Sequence, residues 1–254
     1  MIAATPEQLR DLAESPVVPA PPPGSGSTRI VTPAYMAEIG PEPDPDMNVV
    51  SRLHLDGREV AAVVGEVRDV YRRAGRSAAT WEVATGSTPP GLERRLRELG
   101  MRTHDTPSML ALACTTEPAG DAPGIAVEEV SQTDQFADVR GIFERGDGWS
   151  PGDAWLRGPG HVTRFLARIE GEPVATADIS WLEDERAAFL GGALTLPEWR
   201  RRGAYRALVH ARWRAAAARG RDILVTQSEP MSQPILLRLG FQAVGAITVL
   251  VDGF

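Results

Sequence analysis

The chain has 254 residues, 43% hydrophobic and 24% charged, enough for one large globular domain or two small ones. Its formal net charge is −7, the wrong sign for a protein that lives on nucleic acid, and no apolar run reaches the roughly 18 residues of a membrane span. All 27 residues counted as Lys+Arg are arginines, which excludes Schiff-base enzymes, GxxxxGK[ST] phosphate loops and kinases with their strand lysine.

In chain order, Thr5-Pro6-Glu7-Gln8 predicts a helix start: Thr5 caps, Pro6 takes the first helical position and Gln8 completes a capping box. Glu7, Asp11 and Glu14 are not the basic leader of a signal peptide, so a cytoplasmic location is expected. Residues 16–28, rich in Pro, Gly and Ser, read as a linker, and 40–46 (GPEPDPD) as a loop. Strands are expected over Asn48–Leu55, Ala78–Ala84 and Ser108–Cys114, with helices over Gly57–Ala74 and Pro89–Leu99 between them. Thr115 to Gly124 is polar and reads as a boundary, which divides the chain into 1–28, 29–117 and 124–254. Beyond it come a strand at Ile125–Val130, a helix at Gln132–Phe143 and a hairpin of Val162–Ile169 with Pro173–Ile179. The rest reads as a strand at Arg186–Leu196, a helix at Gly203–Arg219, a strand at Ile223–Thr226, a helix at Met231–Leu239 and two short strands in Phe241–Val251. Cys114 is the only cysteine, and the four histidines lie far apart, so neither a disulfide nor a metal site is expected.

The two parts repeat one another. Trp81–Met101 lies over Arg221–Phe241 without a gap, matching Pro90 to Pro230, Leu96 to Leu236, Leu99 to Leu239 and Gly100 to Gly240.

Chemistry concentrates in Ala193–Leu208 (ALTLPEWRRRGAYRAL). A strand ends, a loop of arginines follows, and Gly203 opens a helix. The free N–H groups and dipole of a helix start favour an anion, Gly203 permits close approach, and arginine forks suit phosphate oxygens. Residues 200–221 hold eight arginines and no acid. Arg200, Arg201, Arg202 and Arg206 are assigned to the anion site; Arg212, Arg214, Arg219 and Arg221 read as a solvated helix face.

Arg200-x-x-Gly203-x-Tyr205 resembles the Q/R-x-x-G-x-G/A signature of the GCN5-related N-acetyltransferases (the GNAT family). Pro197-Glu198-Trp199-Arg200 resembles that family's PEYR run, and Leu237-Arg238-Leu239-Gly240-Phe241 its helix closed by Gly-Phe. The resemblance covers about the last 130 residues. It implies an α/β (α+β) fold of two mixed-sheet units with helices on both faces, the second complete. The first has Asp56-Gly57-Arg58 where the phosphate loop belongs and reads as a degenerate copy.

The resemblance further implies acetyl-CoA as cofactor and direct transfer of an acetyl group to an amine of a small molecule or a protein. Leu194, Thr195 and Leu196 would hold the pantetheine arm, and Arg200–Arg206, including Gly203, Ala204 and Tyr205, the pyrophosphate. Tyr205 departs from the signature. Leu236 stands where many members have the tyrosine that protonates the thiolate, which leaves Ser232, Ser228 or a water as candidates for that role. Asp178 and Glu183, with Asp184 and Glu198 behind them, are candidate bases; Trp149, His161 and Trp181, with Trp155, are candidate walls of the acceptor pocket. Other readings are a module that binds acyl-CoA with weak catalysis, and an aminoacyl-tRNA-dependent transferase, which the net charge opposes. The chain is expected to be a monomer or homodimer.

Overall fold

Thr5 and Gln8 close the capping box that the sequence predicts: Thr5 Oγ1 accepts from Gln8 N at 3.2 Å and Gln8 Oε1 accepts from Thr5 N at 2.8 Å. Helix α1 (Pro6–Glu14) follows. The computed structural model describes residues 3–21, 25–120 and 123–254; part of the expected linker (22–24) and of the boundary segment (121–122) lies outside them. The first half continues as β1 (Thr28–Val31), β2 (Met36–Ile39), β3 (Asn48–Ser51), α2 (Val60–Arg73), β4 (Ala78–Ala84), α3 (Leu92–Glu98) and β5 (Arg102–Cys114). The second half is β6 (Ala126–Glu129), α4 (Thr133–Gly146), α5 (Asp153–Arg157), β7 (Val162–Ile169), β8 (Glu172–Trp181), β9 (Ala187–Thr195), α6 (Ala204–Ala218), β10 (Ile223–Ser228), α7 (Gln233–Arg238) and β11 (Gln242–Gly253).

Several elements differ from the reading of the sequence, among them α5, which the pattern does not predict, and β3, which ends at Ser51. β1 and β2 are a four-residue hairpin pair whose pattern is too short to stand out among turn residues. β5 extends back through polar residues to Arg102 because β11 pairs with it along that length. β11 is one strand with two bulges rather than two short strands.

All eleven strands form one sheet, in the order β1-β2-β3-β4-β11-β5-β10-β9-β8-β7-β6. The last strand of each half has crossed over: β11 pairs with β4, and β5 pairs with β10. Arg68 of α2 forks onto the buried Asp252 of β11 at 2.9 and 2.7 Å and ties the crossed strand to the first half. Alternate residues separate the faces. Ala188, Leu190 and Leu224 pack with α6 and α7, while Ala187, Ile223 and Val225 pack with α1. α2 and α3 share the first face; α4 covers Leu166, Leu194 and Leu196 on the other.

Candidate active site

The sheet opens between β9 and β10. Their parallel ladder holds Ile223–Ala187, Leu224–Ala188 and Val225–Phe189, then stops. Thr226 Oγ1 donates to the Leu190 carbonyl at 2.8 Å, so a side chain takes the last rung. β9 stays on β8 as far as Ala175–Thr195, with an extra residue bulged out between Gly191 and Leu194. Gly192 turns there with φ +56, and a Cβ on it would stand 3.1 Å from Asp178 Oδ2. Past Leu190, β9 therefore presents to the fork a backbone edge that β10 does not pair.

The arginine loop closes one end of this fork. Arg201 is left-handed (φ +64), as is Gly203 (φ +95), which caps α6 without a side-chain hydrogen bond. The first helical rung runs from Ala207 N to Gly203 O at 2.9 Å; among the described residues nothing accepts from the N–H groups of Ala204, Tyr205 and Arg206. Arg200 Nε reaches the Thr195 carbonyl at 3.3 Å and Arg202 lies 4.4 Å above the Trp199 ring. Arg206 folds back to within 3.6 Å of where a Gly203 Cβ would stand. The acid nearest in sequence, Glu198, is held by Arg145 at 2.8 Å. Three free N–H groups, a helix dipole and a ring of guanidinium groups with no counter-acid among the described residues fit a diphosphate. Tyr205 packs its ring into the core under α6, where burial raises its pKa against the pull of Arg212.

On the other prong, Ser228 Oγ and Ser232 Oγ lie 3.2 Å apart at the end of β10. Leu236, one turn further along, is fully buried core. Leu194 packs beneath the end of α4, where a Cβ on Gly146 would stand 2.9 Å from Leu194 Cδ2. Leu196 is buried with α4, and its N–H is used by the Val174 carbonyl at 3.0 Å. Trp149 follows α4, 40% exposed, and meets Trp155 edge-on at 4.8 Å and Phe143 at 5.4 Å.

Other expected residues are engaged or fall elsewhere. Both oxygens of Asp178 are forked by Arg164 at 2.7 Å, and that pair is largely buried, so Asp178 is not free to take a proton. Glu183 sits in the turn before β9, about 26 Å of strand from the arginine loop. Trp181 is there too, with Arg219 4.2 Å above its ring. The His161 carbonyl accepts from Trp181 N at 2.8 Å; burial, then Arg29, lowers the His161 pKa. An antiparallel hairpin returns the residues before β9 to its beginning, so closeness in sequence to the cofactor strand misleads.

Sequence reasoning missed Arg212 and Thr226. Arg212 is 1% exposed, not on a solvated face. Tyr205, Leu208, Arg212 and Ala216 follow helical spacing down the sheet-facing stripe of α6, which is the signal that was available.

A cavity of about 530 Å³ lies elsewhere, between α1 and the loops after β3 and β4, lined by Arg10, Arg52 and His54 but also by Glu7, Asp11 and Glu14. Those acids make it a poor phosphate site, and we place the candidate centre at the fork.

Residues 129–241 match the family described as "Acetyltransferase (GNAT) family". Among solved structures the chain resembles a GCN5-related N-acetyltransferase from Kribbella flavida, with 20% identity, 89% of each chain covered and a TM-score of 0.69. It also resembles a GCN5-related N-acetyltransferase from Sphaerobacter thermophilus (16% identity, 99% of this chain and 86% of that one, TM-score 0.62). A tandem GNAT protein from the clavulanic acid biosynthesis pathway matches at 16% identity over 96% of this chain and 92% of that one, with a TM-score of 0.60. At these identities the likenesses show a shared fold. No curated protein matches the sequence.

Proposed function

Since residues 129–241 belong to the GNAT acetyltransferase family and the whole chain has the fold of a tandem GNAT protein, we propose that it transfers an acetyl group from acetyl-CoA to an amine of a small molecule or a protein. The observation that carries this reading is the fork between β9 and β10, set against an uncapped helix start ringed by arginines. The N–H groups of Ala204, Tyr205 and Arg206, with Arg200, Arg201, Arg202 and Arg206, hold the pyrophosphate. The unpaired backbone of β9 through Leu194 and Thr195 holds the pantetheine arm and turns an N–H toward the acyl oxygen. Bound there, the thioester supplies an activated acetyl carbonyl. Ser228 and Ser232 stand where the sulfur leaves and can return a proton to it, directly or through water; a thiol pKa near ~8.5 makes that help modest.

None of the three carboxylates expected near the cofactor strand is free at the fork: Asp178 and Glu198 are paired and Glu183 is distant. In this reading the acceptor arrives as the neutral amine, its proton passing to water at the open mouth beside Trp149. The test is release of free CoA thiol with a panel of amines. The expected result is turnover whose rate rises with pH toward the acceptor's own pKa. Saturable acetyl-CoA binding with no turnover on any amine would instead favour a binding module.

A further inference from the structure

The inside of α6 carries a charge that the arginine loop does not need. Arg212 lies two turns past the loop and is buried to 1% exposure. Its Nη1 donates to the Asp178 carbonyl at 3.0 Å and approaches the Gly191 carbonyl at 3.5 Å; its Nε donates to the Leu208 carbonyl at 3.1 Å. Its Nη2 meets no acceptor among the described residues. A buried guanidinium held so incompletely is costly, and a packed apolar side chain would satisfy the same volume at less expense.

Its position gives the reason. Asp178 and Gly191 are opposite one another on β8 and β9, at the rung where the bulge begins. A bulge takes backbone groups out of the ladder, and a buried carbonyl without a donor is unfavourable. Gly191 is also the residue after Leu190, where the fork opens. Arg212 thus fastens the bulge from behind, at the height where the fork begins.

The charges there do not cancel. The Asp178 carboxylate faces α5 and is engaged by Arg164, which also donates to the Leu156 carbonyl at 2.8 Å. Two guanidinium groups therefore share one carboxylate, and a net positive charge is left inside the sheet. Burial pulls the Arg212 pKa down, while Tyr205 and Asp178 pull it back up. Tyr205 lies on the same stripe of α6 two turns earlier, close enough for its phenol and Arg212 to pull on each other's pKa.

We propose that Arg212 is a positioning residue for acyl transfer, pinning the bulge of β9 so that its backbone N–H groups face the acyl oxygen, and setting a positive charge behind that oxygen. The inference rests on the reading of the fork as the acetyl-CoA site. A charge fixed in a water-poor place costs nothing to reorganise when negative charge develops nearby.

The test compares wild type, Arg212→Met and Arg212→Lys. Methionine keeps most of the volume without the charge; lysine keeps the charge without the fork that reaches two carbonyls. Acetyl-CoA labelled at the carbonyl carbon is bound to each, and the infrared carbonyl band is recorded alongside the dissociation constant. In wild type the band is shifted from its solution position; in Arg212→Met the shift is lost while the dissociation constant stays within about threefold, and Arg212→Lys falls between. Where turnover is measured, kcat of Arg212→Met falls roughly tenfold or more and KM for acetyl-CoA barely moves. A merely structural arginine would lower thermal stability and leave the band where it is. If Arg212→Met does not fold, the lysine variant decides: a wild-type band there overturns the proposal. Identical bands in all three proteins overturn the role of Arg212 alone. Failure of wild type to bind acetyl-CoA overturns the reading of the fork, and this inference with it.

Discussion

The two halves run the same strand–helix–strand–helix–strand course and differ at the two loops that flank the fork. Eight residues, 52–59, join β3 to α2, and eight, 196–203, join β9 to α6. The third from last is left-handed in both, Gly57 at φ +74 and Arg201 at φ +64. There the likeness stops. In the second half the loop ends in Gly203 and its arginines face no acid among the described residues. In the first it contains Asp56, ends in Glu59, and spends Arg58 on Glu66 at 2.7 Å. The loops after β4 and β10 differ in length: residues 85–91 lead to α3, but only 229–232 lead to α7. The longer loop brings Thr88 back between the strands, where Thr88 N bonds the Leu53 carbonyl and Leu55 N bonds the Thr88 carbonyl, both at 2.9 Å. The first fork is sealed by backbone; the second is left open. Strand order builds the frame, and two short loops decide whether its fork is sealed or open.

The largest expected effect comes from separating the halves. Residues 124–254 expressed alone lack β5, which lies between β10 and β11, so both of those strands would expose an unpaired edge. The fragment is expected to be unfolded or aggregated by circular dichroism and sedimentation. A stable monomer that binds CoA would show that the second half is independent of the first.

Next is the contrast between the arginines. Arg202→Ala with Arg206→Ala is expected to raise the acetyl-CoA dissociation constant tenfold or more, since hydrogen bonds to charged groups contribute roughly 1.5–3 kcal/mol each. Arg58→Ala, in the sealed copy, is expected to leave it unchanged. Calorimetry on both proteins checks the pair; equal effects would dissolve the distinction between the halves.

The smallest effect concerns Glu82 on β4, in the first half. Burial, then the nearby Glu38, raises its pKa from 4.5 to about 7. A raised carboxylate stabilises the fold fully below its unfolded pKa, and that contribution is lost as pH rises through 7. Glu82→Gln is therefore expected to match wild type near pH 4 and to exceed its stability by up to about 3 kcal/mol at pH 8. Denaturant titrations at both pH values test this; a constant difference would mean that Glu82 titrates normally.

Much of this frame is legible in the residues. The capping box at Thr5, the strand Ala78–Ala84 and the hairpin strand Val162–Ile169 stand where the pattern puts them. The repeat is legible at its helix ends: Gly100 and Gly240 share φ values of +97 and +98, and Met101 N and Phe241 N bond the carbonyls of Leu96 and Leu236. The gapless alignment fails one step earlier. It would set β4 over 218–224, whereas β10 is Ile223–Ser228, because the longer loop after β4 takes up the difference.

Local pattern, caps and turn residues, acting over a few positions, determined the elements, the duplication and the arginine loop at Gly203. Tertiary structure alone decided which groups around that loop remain available. Asp178 finds Arg164 across a strand pair, Arg212 turns inward on a helix that reads as basic all round, and β5 and β11 trade places between the halves. Those outcomes depend on pairing and burial between residues far apart in the chain, where a charge is retained only if the folded neighbours hold it.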